Sequence, residues 1–485
     1  MQSQDDDCRL HLSPADAPAD AVAALVAAAP SGDPLDPAAL RRMRSATRAV
    51  LVDRAGSARA EIERFRATGS RLLDIDQDRV RQAHAGRTVL VTGGTGCIGS
   101  VLVRLLRDNG AARVVSISRG RTVGWPRTEG VEYRRLDVRQ RDAVRDLVAQ
   151  LRPDIVYHVA AQHDPGLAEQ LVAGTVSTNV TGTVNVVDAC RSVGGMHLAF
   201  ASTGKALRPF SRDVYAGSKK ISEWVMRNGL AAGGSGTDLT GSAVRFTHIV
   251  DNSIIHRRLR DWCAEDAVIR LHDAGTMFYV QSALEAAQLL MGSVLDAAPD
   301  RLGLDAITDL GWPVSLLDLA VGVIAETGSS SPIHVCGHDP GYERSPYPAL
   351  YDPLASGERS PLFSSFEVAD LLDAPGCASV DRLRLRPLAD RAAQDGLSAL
   401  TAAALRGCPP CEIRATLWST LWSMLAATLR RLPEAALDRQ AQLIDRARAA
   451  DWSADDLTVA AMVHAERARR LGRPDPGLGA LAHTA

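Results

Sequence analysis

The chain has 485 residues and a formal net charge of −2, with 46% hydrophobic and 23% charged residues. This length is too great for one compact core and predicts two or three domains. The near-neutral charge excludes the strongly basic surface of a nucleic-acid-binding protein, and no apolar run approaches the ~20 residues that a membrane-spanning helix needs.

Residues 1–85 combine polar turns with alanine- and arginine-rich segments and predict a helical N-terminal part. The acidic start, MQSQDDDCRL, does not resemble a secretory signal peptide. Scattered cysteines fit reduced thiols better than a disulfide framework, so we expect a cytoplasmic protein. Cys408 and Cys411 form a Cys-x-x-Cys pair, but no second pair or nearby βαβ pattern accompanies it. We therefore expect neither a redox centre nor a metal site.

A regular alternation of strand and helix patterns begins at residue 87. The segment RTVLVTGGTGCIGSVLVRLLRDNGAARVVSISRG (87–120) contains an apolar strand, a glycine cluster, a helical pattern and a second strand. Further strands are predicted in GVEYRRLDV, DIVYHVAA, HLAFAST and GSAVRFTHIV. This alternation predicts an α/β fold with a Rossmann-type, doubly wound parallel sheet and a small substrate-binding subdomain over residues 86–355.

Strand signals fade after about residue 355, so residues 356–485 are predicted to be mainly helical. One segment there, EIRATLWSTLWSMLAATLRRL (412–432), carries a large apolar stripe on one helical face. A stripe of this kind forms either protein core or a subunit interface. Its members are Leu417, Trp418, Leu421, Trp422, Leu425 and Leu429.

The glycines of VTGGTGCIGS predict a dinucleotide-binding loop. Gly93 permits the tight turn after the strand, Gly96 lets the backbone approach a pyrophosphate, and Gly99 lets the next helix pack closely on the sheet. The pyrophosphate then lies at the helix N-terminus, where free N–H groups and the helix dipole favour anions. The residues expected to contact the cofactor here are Thr92, Gly93, Thr95, Gly96, Cys97, Ile98 and Gly99.

The end of the second strand bears on the choice of dinucleotide. An acidic residue there binds the ribose 2′-hydroxyl of NAD, whereas an arginine accommodates the 2′-phosphate of NADP. The sequence SISRGR (116–121) has no acid, so Ser118 and Arg119 favour NADP, with NAD as the alternative. Asp137 and Val138 close the third strand and are placed to contact the adenine.

The stretch STGKALRPFSRDVYAGSKK (202–220) contains a Tyr-x-x-x-Lys pair, Tyr215 and Lys219, that shares one helical face. A lysine ammonium favours phenolate and lowers the pKa of a tyrosine from about 10. The tyrosine can then take a hydroxyl proton as hydride leaves the same carbon for nicotinamide. The hydroxyl of Ser202 or Thr203 can hydrogen-bond the substrate oxygen. The position after a dinucleotide loop and a strand favours catalysis over a solvated helix pair.

Together these motifs resemble the extended short-chain dehydrogenase/reductases. Within them the chain looks most like the polysaccharide-biosynthesis branch of nucleotide-sugar 4,6-dehydratases and epimerases. The resemblance runs from about residue 72 to residue 343. It rests on GRTVLVTGGTGCIGS, TNVTGTVNVVDAC, STGKALRP, YAGSKKISEWV, AVRFTHIV, SALEAAQLLM and ITDLGWPVSLLDLA.

The resemblance implies an NAD(P)-bound enzyme that oxidises a sugar hydroxyl, acts on the keto intermediate and often returns the hydride. Its implied substrate is a sugar-like small molecule or nucleotide sugar, and we expect a homo-oligomer. Ala160, Ala161 and Asn179 are assigned to the cofactor site together with Tyr215 and Lys219.

The chain departs from this branch in the segment that typically contains Ser-Thr-Asp-Lys. There the threonine binds substrate, the aspartate is the acid that expels water, and the lysine takes the proton next to the ketone. Thr203 and Lys205 remain, but Gly204 replaces the acid. Asp213 and Asp251 are candidates to replace it, although nothing in their spacing requires this. We therefore favour epimerisation over dehydration.

Two arginines that help relatives to hold the nucleotide diphosphate are replaced here by Met277 and Asp339. Diphosphate needs positive charge, which His256, Arg257 and Arg258 are candidates to supply.

Two further hypotheses stand beside the epimerase/dehydratase one. The first is a simple NADP-dependent alcohol dehydrogenase or ketoreductase acting on a non-nucleotide metabolite, which net hydride transfer would distinguish. The second is a non-catalytic NADP-binding scaffold that uses its helical extensions for partners. The retention of Thr203, Tyr215 and Lys219 argues against the scaffold.

Overall fold

The structure is a computed structural model that describes residues 20–29, 33–120, 127–230, 238–251, 254–338, 360–368, 379–446 and 452–473. The chain divides into two compact units. The smaller draws on Met1–Thr68, Asn252–Val280 and Trp312–Asp339, and the larger on Gly69–Asp251, Gln281–Gly311 and Pro340–Ala485. Each unit is assembled from segments that are distant along the chain. The three consecutive segments expected from the sequence remain a prediction of domain organisation.

The strands, numbered along the chain, are β1 (Thr88–Thr92), β2 (Arg113–Ser118), β3 (Val131–Arg135), β4 (Ile155–His158), β5 (His197–Ala201), β6 (Thr240–Val244), β7 (His248–Ile249), β8 (Ile269–Leu271), β9 (Met277–Phe278), β10 (Val280–Gln281), β11 (Leu302–Ile307), β12 (Val314–Ser315), β13 (Ile333–Val335) and β14 (Val380–Leu385).

The α-helices are α1 (Ala21–Ala27), α2 (Pro37–Asp53), α3 (Ala55–Ala67), α4 (Gln77–His84), α5 (Cys97–Asp108), α6 (Arg141–Leu151), α7 (Pro165–Gln170), α8 (Val172–Val176), α9 (Gly182–Val193), α10 (Val214–Gly229), α11 (Ile254–Ala264), α12 (Ala283–Gly292), α13 (Leu316–Thr327), α14 (Ser365–Val368), α15 (Arg391–Arg406), α16 (Pro410–Arg431), α17 (Glu434–Arg446) and α18 (Ala454–Arg470). Among the described residues, none of these helices combines the length and apolarity needed to cross a bilayer.

The larger unit is built on a sheet that, in the part of the chain described here, has eight strands in the order β14-β11-β6-β5-β4-β1-β2-β3. The strands from β11 to β3 pair in parallel, while β14 pairs antiparallel with β11. The chain leaves β1 towards β2 and later returns to β4 on the other side of β1. The predicted doubly wound parallel sheet is confirmed, and its strand order reverses between β1 and β4, where such sheets bind ligands.

Apolar strands and amphipathic helices build the layers of this unit. Val89, Leu90 and Val91 of β1 are almost completely buried, as a strand covered on both faces requires. Helix α5 buries Leu102 and Leu106 and packs with α12, while α9 packs with α6 and α10. Helices α5, α6, α9 and α10 are reached from the parallel strands β1, β3, β4 and β5, so the carboxyl ends of these strands lie at one common edge of the sheet.

The edge strand β14 lies within the segment predicted to be mainly helical, and the sequence analysis did not identify it. Its side chains alternate without a clear apolar period because Arg382 is buried in an ion pair. Arg382 lies opposite Asp305 of β11 and donates from Nε and Nη2 to its two carboxylate oxygens at 2.7 and 2.6 Å. A charged residue in a buried strand position therefore hid the strand from hydrophobic pattern analysis.

The smaller unit combines the N-terminal helices with α11 and α13. Helix α3 packs against α13 so closely that a Cβ atom on Gly322 would lie 2.6 Å from Ile62. Arg54 and Asp318 join the same two regions through a bidentate ion pair, with Nη2 2.8 Å from Oδ2. In this unit β8 pairs with β13 and β9 with β12.

The apolar stripe of α16 forms core within the larger unit. Leu417 and Leu421 lie against Gly217 of α10, where a Cβ atom would be 2.8 and 2.9 Å from their methyl groups. The indole N–H of Trp418 donates to the carbonyl of Arg212 at 3.0 Å, just before α10 begins. Of the two alternatives for the stripe, the structure therefore shows core, packed on the helix that carries the Tyr-x-x-x-Lys pair.

The Arg382–Asp305 pair yields a stability prediction. Arg382→Met should lower the free energy of unfolding by about 3–5 kcal/mol, because it leaves the Asp305 carboxylate buried without its counter-charge. Urea denaturation followed by circular dichroism measures the change. The matched double variant Asp305→Leu/Arg382→Met removes both charges and should recover most of the loss. A wild-type midpoint for Arg382→Met would contradict the prediction.

Candidate active site

The loop between β1 and α5 is held against β4 by Thr92. Its hydroxyl accepts the backbone N–H groups of Val159 and Ala160, both at 3.1 Å, and lies 2.8 Å from Nδ1 of His158. Through these contacts the Thr92 side chain connects the end of β1 to the end of β4. They also fix the backbone at Ala160, which the sequence assigned to the cofactor site together with its neighbour Ala161.

The glycines of this loop bring backbone segments into direct contact. Gly93 has φ +77°, and a Cβ atom there would lie 2.7 Å from the backbone nitrogen of Ala160. A Cβ atom on Gly99 would lie 2.2 Å from the carbonyl oxygen of Gly93. The glycine requirement predicted at both positions thus has a direct steric cause.

The first turn of α5 offers uncapped backbone donors. Gly96 occupies the N-cap position and no side chain satisfies the N–H groups that follow. Burial raises the pKa of the Cys97 thiol to about 12, so this side chain stays neutral and does not repel an anion. The loop therefore fits a dinucleotide pyrophosphate, with donors from the first turn of α5, while the Gly96 N–H itself donates to the Gly93 carbonyl at 3.0 Å.

The region expected to hold the adenosine lies at the ends of β2 and β3. Ser118 ends β2, and Arg119 is exposed immediately after it. Asp137 is partly buried, but two hydrogen bonds from Arg139 and the nearby charge of Arg119 hold the pKa of its carboxyl below the usual value. Asp137 is therefore ionised and already engaged by Arg139.

Two further residues assigned to the cofactor make structural contacts. Val138 is buried, and its carbonyl accepts a hydrogen bond from Asn185 at 3.0 Å. Asn179 lies in a π-helical turn (Ser177–Thr181) and exchanges two hydrogen bonds with the backbone of Gln162, at 2.8 and 3.1 Å. It also donates to the Ser218 hydroxyl at 3.0 Å. Asn179 thus ties the segment after β4 to α10.

The structure brings Thr203, Tyr215 and Lys219 together beyond the end of β5. Helix α10 begins at Val214, so both Tyr215 and Lys219 lie in its first two turns. The Tyr215 hydroxyl hydrogen-bonds with Thr203. The Lys219 ammonium donates to the Ala201 carbonyl at 2.6 Å.

The ionisation of this pair differs from the sequence expectation. Burial raises the pKa of Tyr215, and the hydrogen bond with Thr203 opposes it only in part. Burial lowers the pKa of Lys219 to about 7, and the charge of Glu223 opposes this shift. The expected lowering of the Tyr215 pKa by Lys219 does not occur here, because the ammonium is held by a backbone carbonyl and is itself close to losing its proton at neutral pH.

The two hydroxyls at the end of β5 have different partners. Ser202 donates to Oε1 of Glu223 at 2.6 Å and is buried. Thr203 faces Tyr215, and its hydroxyl also accepts the Lys205 backbone N–H at 3.4 Å. Of the two alternatives left open by the sequence, Thr203 is the one that lies with the tyrosine.

The space beside Gly204 is already filled. A Cβ atom there would lie 2.9 Å from a methyl group of Leu362 and 3.3 Å from the carbonyl oxygen of Phe246. Of the two candidate replacement acids, Asp213 directly precedes α10, while Asp251 accepts the Ala283 N–H at the start of α12 at 2.6 Å. An acidic side chain at position 204 would compete with Leu362 for the same volume.

Sequence reasoning missed a buried charged cluster behind this site. Arg245 is fully buried and bonded to both Glu223 and Glu367, and Lys220 bonds Glu367 at 2.8 Å. Glu223 follows Lys219 by four residues, so helical spacing was a signal that could have identified it. The contribution of Glu367, from a segment more than a hundred residues away, had no sequence signal.

The residues considered for the diphosphate belong to the smaller unit. Met277 lies in β9, and His256, Arg257 and Arg258 lie on α11. The His256 ring contacts Phe65 with 5.2 Å between ring centres, and burial lowers the pKa of this histidine. Arg257 and Arg258 are exposed. Asp339 lies outside the described residues. No metal-binding cluster of three or more His, Cys, Asp or Glu side chains occurs in the described part of the chain.

Comparison with known proteins places this geometry in context. Residues 89–237 match the model of the NAD dependent epimerase/dehydratase family. The "Probable polysaccharide biosynthesis protein EpsC" of Bacillus subtilis is 26% identical over 288 residues, which are 56% of this chain and 46% of that protein. The "UDP-N-acetylglucosamine 4,6-dehydratase (inverting)" of Campylobacter jejuni is 29% identical over 154 residues, 30% of this chain and 45% of that protein. The chain thus spans under half the length of these two relatives.

Among solved structures, the X-ray structure of Pen from Bacillus thuringiensis superposes with a TM-score of 0.52 at 21% identity, covering 64% of this chain and 90% of that one. At this identity the likeness concerns the fold alone. It agrees with the Rossmann sheet described above.

The contact between Gly99 and Gly93 yields a binding prediction. Gly99→Ala should displace the loop, at a cost of about 1–3 kcal/mol, because the new methyl group overlaps the Gly93 carbonyl. NADPH affinity, measured by fluorescence titration, should fall about tenfold or more. Gly174→Ala is the matched control, since its nearest neighbour would be an ordinary 3.9 Å contact. Unchanged affinity in Gly99→Ala would show that the loop does not hold the dinucleotide.

Proposed function

Because this chain is an extended short-chain dehydrogenase/reductase of the polysaccharide-biosynthesis branch, we propose that it is an NADP-dependent enzyme that epimerises a nucleotide sugar through a keto intermediate. The observation that supports this most directly is the grouping of Thr203, Tyr215 and Lys219 at the edge of the sheet that also carries the glycine-rich loop. The loop supplies backbone donors for the dinucleotide, and the three side chains supply a proton-transfer centre.

The proposed roles follow from the contacts of each side chain. When bound, the nicotinamide supplies the hydride acceptor and later returns the hydride. Thr203 and Tyr215 share a hydrogen bond and are suited to hold one substrate oxygen between them. Burial keeps the Tyr215 phenol protonated in the free protein, so Tyr215 first releases this proton to solvent and then accepts the proton of the substrate hydroxyl as the ketone forms. Lys219, held by the Ala201 carbonyl, supplies the positive charge that supports this phenolate once substrate and cofactor are bound, whereas in the free protein it does not lower the Tyr215 pKa.

The second half-reaction falls to Lys205. A ketone acidifies the neighbouring C–H group, and a lysine in its neutral form removes that proton. Expelling water from the next carbon requires an acid, which Gly204 does not provide, and a Cβ atom at this position would have to displace the Leu362 methyl group 2.9 Å away. Return of the proton to the opposite face of the carbon then gives an epimer. The packing at Gly204 thus favours epimerisation over dehydration.

One observation favours a second candidate, a simple NADP-dependent ketoreductase. Met277 stands where the related enzymes carry an arginine for the diphosphate, and its side chain offers no charge. An enzyme of this kind would act on a substrate without a nucleotide. It would consume one NADPH for each product molecule, whereas an epimerase regenerates its cofactor.

The cofactor assignment predicts a preference for NADPH over NADH. Arg119 is exposed at the end of β2, and a charge-assisted contact with the 2′-phosphate contributes roughly 1.5–3 kcal/mol, a factor of about ten or more in affinity. Arg119→Asp should reverse the order of the two affinities in fluorescence titrations. Arg145→Asp makes the identical charge change at an exposed position of α6 and should leave the order of the two cofactor affinities unchanged. Equal wild-type affinities for both cofactors would remove the argument for NADP.

The reaction is tested by solvent isotope exchange. We incubate the protein with NADP and UDP-N-acetylglucosamine, then with other UDP-, CDP- and dTDP-sugars, in deuterated water. Deuterium should enter the sugar without loss of water, as measured by mass spectrometry. Tyr215→Phe should slow the exchange on the order of 10²–10⁴-fold with little change in unfolding temperature, because it removes a proton acceptor and little packing.

Each alternative has its own result in this experiment. Lys205→Ala should abolish exchange while still permitting reduction of the cofactor. Loss of water from the product would indicate a dehydratase, and stoichiometric use of NADPH on a non-nucleotide carbonyl substrate would indicate the ketoreductase. Exchange that persists in Tyr215→Phe would refute the proposed centre.

A further inference from the structure

The lysines of this chain are confined to the proposed centre. Lysine and arginine together number 55, yet only three are lysines, and these are Lys205, Lys219 and Lys220. Arginine stays charged in proteins, whereas a buried lysine can lose its proton. All three lysines therefore lie between residues 205 and 220, and burial lowers the pKa of one of them, Lys219, to about 7. The groups around Lys219 therefore decide how much of this side chain is positively charged.

A buried ion cluster lies beside Lys219 on the same helix. Glu223 accepts two hydrogen bonds from Arg245, at 2.8 and 2.7 Å, and a third from the Ser202 hydroxyl at 2.6 Å. Arg245 also donates two hydrogen bonds to Glu367, at 2.8 and 2.6 Å. Both oxygens of Glu223 are thus held by defined partners, and its carboxylate has one fixed position.

The two glutamates differ in what else they touch. Glu223 lies one helical turn beyond Lys219 and holds Ser202, the residue between β5 and Thr203. Glu367 lies on α14 and its other charged partner is Lys220, at 2.8 Å. Both carboxylates neutralise the same guanidinium. Burial lowers the pKa of Lys219, and of these two carboxylates only Glu223 opposes that shift.

We propose that Glu223 is a positioning residue for the centre, which maintains the positive charge of Lys219 and the orientation of the β5 end through Ser202, while Arg245 and Glu367 hold Glu223 in place. This inference rests on the proposed function only in taking Lys219 as a member of that centre. Arg245 and Lys220 balance the charges of Glu223 and Glu367, so the cluster itself carries no net charge.

Within the ranges that the structure describes, the other titratable groups that interact with Lys219 are neutral or balanced within this cluster. On β4, burial and the charge of Lys219 lower the pKa of His158 to about 3, and after β4 burial likewise lowers the pKa of His163. Tyr215, on α10 itself, is held in its neutral form by burial. Lys220 pairs with Glu367 at 2.8 Å and lies 3.9 Å from Glu223, and Arg245, directly after β6, lies between the glutamates. The negative charge that supports the Lys219 ammonium is therefore that of Glu223.

The confinement of lysine makes a direct test feasible. Protein labelled with [ε-¹³C]lysine should give three side-chain NMR signals, which Lys205→Arg and Lys220→Arg assign by elimination. In the wild type the Lys219 signal should titrate with a midpoint near the pKa of about 7. Glu223→Gln should move this midpoint to lower pH by about one pH unit or more, because the ammonium loses its nearest opposite charge.

Glu367→Gln is the matched control, since it removes the same charge from the same guanidinium. It should move the Lys219 midpoint clearly less than Glu223→Gln does. Should Glu223→Gln fail to fold, Glu223→Asp retains the charge and should keep the midpoint near the wild-type value. Equal shifts in the two glutamine variants, or an unchanged midpoint in Glu223→Gln, would overturn the proposal.

A second readout links the cluster to turnover. Where the centre needs the Lys219 ammonium, the rate falls as pH rises through the pKa of this lysine. The alkaline limb of the rate profile should therefore lie at lower pH in Glu223→Gln than in Glu367→Gln, and coincident limbs would contradict the positioning role. The NMR titration contains no substrate, so failure of the proposed reaction leaves it valid. A normal titration without any turnover would refute the function and not the role of Glu223.

Discussion

The ion cluster around Arg245 is the constraint on which the candidate site depends. A fully buried guanidinium is strongly unfavourable unless its charge and its donors are satisfied, and here two glutamates and two backbone carbonyls satisfy it. Arg245 directly follows β6, and its partners come from α10, the turn after Thr203 and the segment around α14. Because the cluster tolerates little displacement, it fixes these four regions relative to one another, and with them the end of β5.

The glycine-rich loop depends on close approach between backbone segments. Gly93 and Gly99 bring β1, α5 and the segment after β4 to distances that no side chain permits. Thr92 then bonds the two strand ends, and Asn179 bonds the segment after β4 to α10. The dinucleotide loop and the Tyr-x-x-x-Lys helix are thus connected through direct hydrogen bonds within one compact unit. A proton acceptor and a hydride acceptor need this kind of fixed geometry to act on one carbon.

The C-terminal part of the chain takes a direct part in this arrangement. Leu362 fills the space beside Gly204, Glu367 completes the charged cluster, and Leu417 and Leu421 pack on Gly217 between the tyrosine and the lysine. A chain without these residues would leave Arg245 with one carboxylate and α10 with an exposed apolar face. The absence of an acid at position 204 is therefore consistent with the packing around it, because Leu362 and an aspartate side chain require the same volume.

The sequence by itself determined the sheet type, the glycine loop and the shared helical face of Tyr215 and Lys219, because each depends on local patterns of two to seven residues. It did not determine β14, because the buried partner of Arg382 is 77 residues away. For the substrate oxygen it offered Thr203 or Ser202, with Thr203 favoured by the family resemblance. Their different partners, Tyr215 and Glu223, appear only when β5 and α10 pack together. The charge of Lys219 was likewise decided by tertiary structure, because burial and one neighbouring carboxylate set its pKa, and neither is encoded in the Tyr-x-x-x-Lys spacing.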